Sequence, residues 1–176
     1  MKRIACLMLL LAAGCGRQAS APALGTIHFG EKSNGGVEVF DGMMELFGQT
    51  LRVEREATLD PAGNYVKNGR AVAWYESGQK AGEMSFHQDK AHGKTLAWFE
   101  SGKKKLHGQS VEGLATGIWT EWYENGEKQT EGEYVEGERH GQWSFWEPSG
   151  RLIEVVEYRS GKKIGVVERP SFGVTR

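Results

Sequence analysis

The sequence predicts an all-β fold in which tandem 24-residue β-hairpin repeats lie side by side as an elongated, twisted antiparallel sheet. Three observations carry this. Gly69, Gly93, Gly117 and Gly141 each open a block of 24 residues without insertion, and Gly165 opens a truncated fifth. Within the blocks Trp74, Trp98, Trp122 and Trp146 recur at the sixth place, Tyr75, Phe99 and Tyr123 at the seventh, and Gly78, Gly102, Gly126 and Gly150 at the tenth. A period of this size marks an array of small stacked units. Finally, Asn125-Gly126 separates two runs rich in aromatic and β-branched residues, a strong hairpin signal.

The chain divides accordingly. Residues 1–14 read as a secretory signal: Lys2 and Arg3 precede an apolar run from Ile4 to Ala13 that is too short to span a bilayer. The stretch Leu11-Ala12-Ala13-Gly14-Cys15 resembles the lipobox of bacterial lipoproteins, with Leu11 one place earlier than usual. That resemblance implies cleavage before Cys15 and lipid on Cys15. Because Gly16 rather than Asp follows, it also implies an outer-membrane protein facing the periplasm if the envelope is Gram-negative. Residues 15–36, rich in Ala, Ser, Pro and Gly, read as a flexible tether. Residues 37–68 read as degenerate capping strands, because a first unit has no neighbour on one side. There Val37 and Val39 alternate, Thr50 to Leu59 is β-prone, Asp60-Pro61-Ala62-Gly63 is a turn, and Phe40-Asp41-Gly42 echoes Phe99-Glu100-Ser101-Gly102. The hairpin array covers 69–168, and 169–176 form a tail.

Each repeat should contain two strands and two turns. The Asn125-Gly126 turn is expected to be type I′, with positive φ at both residues, and Gly113, Gly137 and Gly161 carry the second turn. Centring the hairpin on Asn125-Gly126 sets Gly117 opposite Tyr134 and Trp119 opposite Gly132, with Gly141–Tyr158 and Gly69–Phe86 equivalent. Each aromatic opposite an opening glycine is expected to lie over it and restore the contact it lacks. The second block has Ser110 opposite Gly93 and should be the loosest.

Alternation places Trp119, Tyr123 and Tyr134, with Ala71, Tyr75, Phe86, Phe99, Trp143, Phe145 and Tyr158, on an apolar face. Trp74, Trp98, Trp122 and Trp146 form a stripe on the opposite, wetter face, among Glu83, His107, Glu131, Glu133 and Glu157. A single layer would leave the apolar face in water. Dimerisation, curling of the sheet, or coverage by residues 37–60 would each resolve this.

The blocks GKTLAWFESGKK, GIWTEWYENGEK and GERHGQWSFWEPSGR resemble the bacterial variant of the MORN repeat found in the YwqK-type antitoxin family, over about Tyr65 to Gly165. The resemblance implies hairpins in a long twisted sheet, no enzymatic activity, and relatives named for pairing with toxins. The first two blocks depart from it, with Ala71 and Thr95 in place of the Trp of Gly-x-Trp. An exported, lipid-anchored chain cannot neutralise a cytoplasmic toxin, so the resemblance bears on fold more than on role.

Composition narrows the function. Lys+Arg 22 against Asp+Glu 23 gives a net charge of −1, without the basic footprint of a nucleic-acid binder. Loss of residues 1–14 removes Lys2 and Arg3, leaving 20 basic residues against 23 acidic and a net charge of −3. Acyl chains rather than charge must then hold the body to a membrane. Cys6 leaves with the signal and Cys15 carries lipid, so no disulfide or free thiol remains.

Glu76, Glu100 and Glu124 beside the turns read as solvated edge residues, and no catalytic triad or phosphate loop is present. His92 and His140 fall roughly 20 Å apart on the strand spacing, too far to share a metal, and His87 with His92 lacks further ligands. No cofactor is implied. The Trp stripe is a candidate surface for glycan or peptide, against the plainer reading that it holds successive hairpins in register.

The leading expectation is a non-enzymatic, lipid-anchored protein-interaction or envelope-scaffold module, partnered by a protein or cell-wall component. An immunity protein for an exported toxin and a glycan-binding module are the alternatives. Homodimerisation stays open, and the sheet's end strands are where an added strand would dock.

Overall fold

The structure is a computed structural model in which residues 28–29, 37–46 and 49–169 are described. The signal, Cys15 and residues 170–176 lie outside the described residues. The described residues form twelve strands and no helix: β1 (His28–Phe29), β2 (Glu38–Leu46), β3 (Gln49–Leu59), β4 (Tyr65–Trp74), β5 (Lys80–His87), β6 (Lys90–Trp98), β7 (Lys104–Val111), β8 (Leu114–Trp122), β9 (Lys128–Val135), β10 (Glu138–Trp146), β11 (Leu152–Arg159) and β12 (Lys162–Glu168). They pair antiparallel in strict chain order as one open meander, which is the all-β repeat sheet the sequence predicts. His28 and Phe29, within the stretch read as tether, pair with Asp41 and Phe40. Phe40-Asp41-Gly42 makes no turn: Gly42 pairs with Val53 inside a continuous β2–β3 ladder.

The expected register holds. Gly117 faces Tyr134 and Trp119 faces Gly132, while Gly141 faces Tyr158 and Gly69 faces Phe86. The turn chemistry is distributed differently. Gly126 N donates to Tyr123 O at 2.9 Å, and only Gly126 of the Asn125-Gly126 pair has positive φ, at 101°. This is a turn through Glu124-Asn125 followed by a left-handed glycine, and it adds one extra residue to the second strand, so that Trp122 faces Lys128. The type I′ pattern lies instead at the other edge. There Glu112-Gly113, Glu136-Gly137 and Ser160-Gly161 have positive φ at both residues, between the directly paired Val111–Leu114, Val135–Glu138 and Arg159–Lys162.

The two edges tie one repeat to the next. At the I′ edge, Gly113 N donates to Ala91 O at 2.8 Å and Gly137 N to Ala115 O at 2.9 Å. At the opposite edge the Tyr75 hydroxyl donates to Trp98 O at 2.9 Å, and the Tyr123 hydroxyl to Trp146 O at 2.8 Å. Phe99 has no hydroxyl at the intervening position. There Lys103 Nζ donates to Asn125 O at 3.4 Å.

The junction between repeats explains the opening glycines. Between β7 and β8 the ladder passes from His107–Thr120 to Gln109–Thr116, so Gly117, Ile118 and Trp119 oppose Gly108 alone. The β9–β10 junction repeats this with Gly141, Gln142 and Trp143 opposite Gly132. Gly117 and Gly141 adopt φ of 66° and 63° at these bulges, which non-glycine residues adopt only at a cost. A Cβ on either would meet nothing within 4 Å, so Tyr134 and Tyr158 do not cover them as expected. The covered glycines are Gly108 and Gly132, beneath the indoles of Trp119 and Trp143.

Burial resolves the single-layer problem within one chain. Trp119 and Trp143 are 1% and 0% exposed, and Met84 and Phe86 are also buried. Bulges bend strands and increase twist, and full burial of an indole in one layer requires the sheet to curl around it. Residues 49–59 extend the sheet sideways, with Leu51 joining the cluster of Ala71, Ala73 and Tyr75, rather than covering a face. Ser110 does face Gly93, yet it is fully buried; that block is packed and not loose.

Candidate functional site

Trp74, Trp98, Trp122 and Trp146 end β4, β6, β8 and β10, each at the one-residue bulge beside a hairpin turn. All four are half-buried. Three have a cation over the ring: Arg52 lies 5.3 Å from the centroid of Trp74, Lys80 5.4 Å from Trp98, and Lys128 5.7 Å from Trp146. A carboxylate one strand-step away holds each cation in place. Lys80 Nζ donates to Glu83 at 2.8 Å, and Lys128 Nζ donates to Glu131 at 2.7 Å. The Thr120 hydroxyl also donates to Glu131, at 3.0 Å. Arg52 is bound by Asp41 at 3.1 Å and by Glu54.

The second repeat, whose lysine would serve Trp122, breaks the device. His107 stands where Glu83 and Glu131 stand in their repeats, so the matching Lys104 has no carboxylate there to fix it. Trp122 is therefore the one stripe member that, among the described residues, has no cation over its ring.

The same face carries a second feature that the sequence reading did not single out. Val111, Leu114, Ile118 and Val135 are exposed. Val111 pairs with Leu114 across the Glu112-Gly113 turn, and Ile118 faces Glu133. Their signal was present: positions 111 and 135 are equivalent in the repeat, and both are Val.

On the opposite face the aromatic rings form a column. Tyr134 lies edge-on to Trp119 at 5.8 Å and to Trp143 at 5.0 Å, and Trp143 meets Tyr158 at 6.3 Å. Both indole N–H groups are satisfied by backbone: Trp119 Nε1 donates to Gln109 O at 3.2 Å, and Trp143 Nε1 to Glu133 O at 3.0 Å. Arg139 closes the end of the column 4.2 Å from the Trp143 centroid, and donates to the Tyr158 hydroxyl at 3.3 Å. These are packing contacts, which bury Trp119 and Trp143 and leave Tyr134 and Tyr158 partly exposed.

Glu121 stands in this apolar column, at the place held by Ala73, Ala97 and Phe145 in the other repeats. Its Oε1 is buried without a hydrogen-bond partner. Burial pushes its carboxyl above the usual carboxylate range, against the opposing pull of Arg139 and Lys105. Repeat alignment alone could have flagged it, as the single acid in an otherwise apolar position.

The neighbouring histidines stand beside an ion pair. His87 and His92 rings are 6.1 Å apart, His92 Nδ1 lies 3.5 Å from Glu112, and Glu112 is already engaged by Lys90 at 3.0 Å. Among the described residues no three His, Cys, Asp or Glu side chains converge to hold an ion. Lys90 holds the Glu112 carboxyl below its ordinary value, with a smaller pull from His92.

No curated protein matches the chain. Residues 115–136, which take in β8 from Ala115 onward, the Asn125-Gly126 turn and β9, match the family model described as MORN repeat variant.

Proposed function

We propose that the chain is a non-enzymatic repeat module, anchored by lipid on Cys15 to the outer membrane and facing the periplasm, that engages a protein partner through its Trp-stripe face. The observation that carries the reading is the exposed apolar group Val111, Leu114, Ile118 and Val135 on a sheet whose other face packs its aromatic side chains against one another. Clustered exposed apolar side chains on an otherwise solvated sheet mark interaction surfaces. Glu133, Glu136 and Glu138 surround Val135 without an ion pair among the described residues, so a partner with apolar and basic side chains fits best. The lipobox-like stretch before Cys15 supports the anchor.

The test has two parts. Labelled palmitate should enter the wild-type chain and not Cys15→Ser, which should leave the membrane fraction. A photoreactive residue at Ile118 should cross-link one defined protein in intact cells, and Leu114→Ser should remove that product. An unlabelled chain recovered in soluble form would defeat the anchoring, and cross-linking no stronger than from Glu76, on the hairpin-turn edge, would defeat the surface.

A second reading, glycan stacking, is favoured only by the lack of a cation over Trp122 among the described residues. If it holds, Trp122→Ala abolishes retention on purified peptidoglycan while Trp98→Ala, whose ring lies under Lys80, leaves it unchanged.

A further inference from the structure

The Lys–Glu pairs along the Trp stripe supply a template for what the second repeat lacks. Glu83, Leu96, His107, Thr120 and Glu131 face one another in turn across β5 to β9, so Glu83, His107 and Glu131 stand at one level on one face. In the first and third repeats a lysine binds that glutamate and lies over the tryptophan of the next strand: Lys80 with Glu83 and Trp98, and Lys128 with Glu131 and Trp146. The second repeat keeps the lysine, as Lys104, but has His107 in the carboxylate's place. The flanking acids do not fill it. Each lies two strands away, roughly 10 Å, and is already engaged: Glu83 by Lys80 and by Arg70 at 3.8 Å, Glu131 by Lys128 and the Thr120 hydroxyl. Lys104 and His107 are exposed, and neither has an ion pair among the described residues. Lys94, which faces Gln109 on the same face, is exposed and likewise without one.

We infer that Lys104 and His107 form a subsite for a carboxylate of the partner protein, an Asp or Glu side chain that takes the place Glu83 and Glu131 hold in the neighbouring repeats. The inference rests on the Trp-stripe face being the docking surface. The chain's own pairs set the chemistry. A carboxylate at this level accepts a charge-assisted hydrogen bond from Lys104, and His107 offers it an N–H donor in either protonation state. The bound carboxylate draws Lys104 over the Trp122 ring, as Glu83 and Glu131 do for Lys80 and Lys128, and the cation–π contact adds to the binding. Charge then fixes the partner's orientation: its acid docks at Lys104 and His107, and its bases at Glu133, Glu136 and Glu138, because the reverse placement sets like charges together. Val111 lies four residues along β7 from His107, roughly 13 Å away, so the partner's acid and its apolar contacts stand about that far apart.

The experiment has two arms. In the first, the full-length chain in detergent is titrated with acetyl-glutamate amide while NMR follows the Trp122 indole and the His107 ring, with acetyl-glutamine amide and inorganic phosphate as controls at matched ionic strength. The carboxylate should shift both signals saturably and the glutamine amide should not. Its affinity should fall about tenfold in Lys104→Ala and in His107→Glu, the scale of one charge-assisted hydrogen bond. No response to the carboxylate, or a response to phosphate or to the glutamine amide as large, would overturn the subsite. In the second arm, the cross-link from Ile118 in intact cells should fall about tenfold in His107→Glu, because the introduced acid pairs with Lys104 and occupies the subsite. Thermal melting of His107→Glu should match or exceed that of the wild type, since it copies the Lys80–Glu83 pair, so the lost product is not lost folding. A product unchanged in His107→Glu overturns the subsite while the docking surface stands. A wild-type chain that gives no product defeats the docking surface, and the titration alone then decides the subsite.

Discussion

The indole of Trp143 occupies the space in which a side chain on Gly132 would stand: a Cβ built there falls 2.3 Å from Cδ2 of the ring. Trp119 sits on Gly108 in the same way, at 2.1 Å. Elsewhere the same repeat positions exchange bulk. Met84 faces Thr95, and Val156 stands in the glycine's place while Val167 stands in the tryptophan's. In the Trp119–Gly108, Trp143–Gly132 and Thr95–Met84 pairs a large residue on one strand goes with a small one on the other, whereas Val167 is 54% exposed and stands outside the packed column.

Gly132→Ala should consequently destabilise the array by about 1–3 kcal/mol, the usual cost of overpacking a filled core. Gly126→Ala meets no atom within 4 Å and suffers only from its positive φ. Chemical denaturation of the two variants separates steric from backbone cost. Gly132→Met combined with Trp143→Thr copies the Met84–Thr95 pair and should recover part of what Gly132→Met alone loses.

Trp143→Ala should cost about 3–5 kcal/mol, the range for deleting a buried Trp. Trp122→Ala should cost clearly less, because that indole is only half-buried. Equal losses in a urea titration would show that the stripe is as structural as the buried column.

Glu121 links stability to pH. Its folded-state pKa lies above its ordinary value of 4.5 because burial penalises the carboxylate. The contribution of this group is therefore fully present below pH 4.5 and is lost as pH rises through the raised value. Glu121→Leu should remove that loss and stabilise the protein at pH 7 by about 1 kcal/mol, the scale of a buried unsatisfied polar atom. Thermal melts of both chains across the acid range test it, and parallel curves would sink the assignment.

The I′ turns carry a removable strain. Glu136 has φ of 50° ahead of Gly137, a conformation that Asn tolerates better than Glu. Glu136→Asn should raise stability by a few tenths to about 1 kcal/mol. Asn125→Glu should lower it, because the Asn125 side chain accepts from Glu127 N at 3.0 Å and donates to Pro148 O.

Strand order, hairpin register and the division of side chains between two faces could all be read from the sequence. The 24-residue period brings the same residue types to the same place each time, and alternation along a strand has a fixed period of two. That arithmetic sets Gly117 against Tyr134 without reference to anything outside one hairpin. Tertiary structure alone decided what happens between hairpins. The bulges at Gly117 and Gly141 advance one strand past the next, so each indole lands on a glycine of the preceding hairpin rather than on its own partner. The turn types exchanged edges for a related reason: a left-handed glycine serves either turn, and only the length of the ladder on each side selects between them. The cations over three of the four stripe tryptophans, and the lack of one over Trp122 among the described residues, likewise depend on contacts across repeats, where His107 stands in place of a glutamate near Lys104. Local pattern determined the hairpin, and packing between copies of that hairpin decided which surfaces were consumed and which were left to meet a partner.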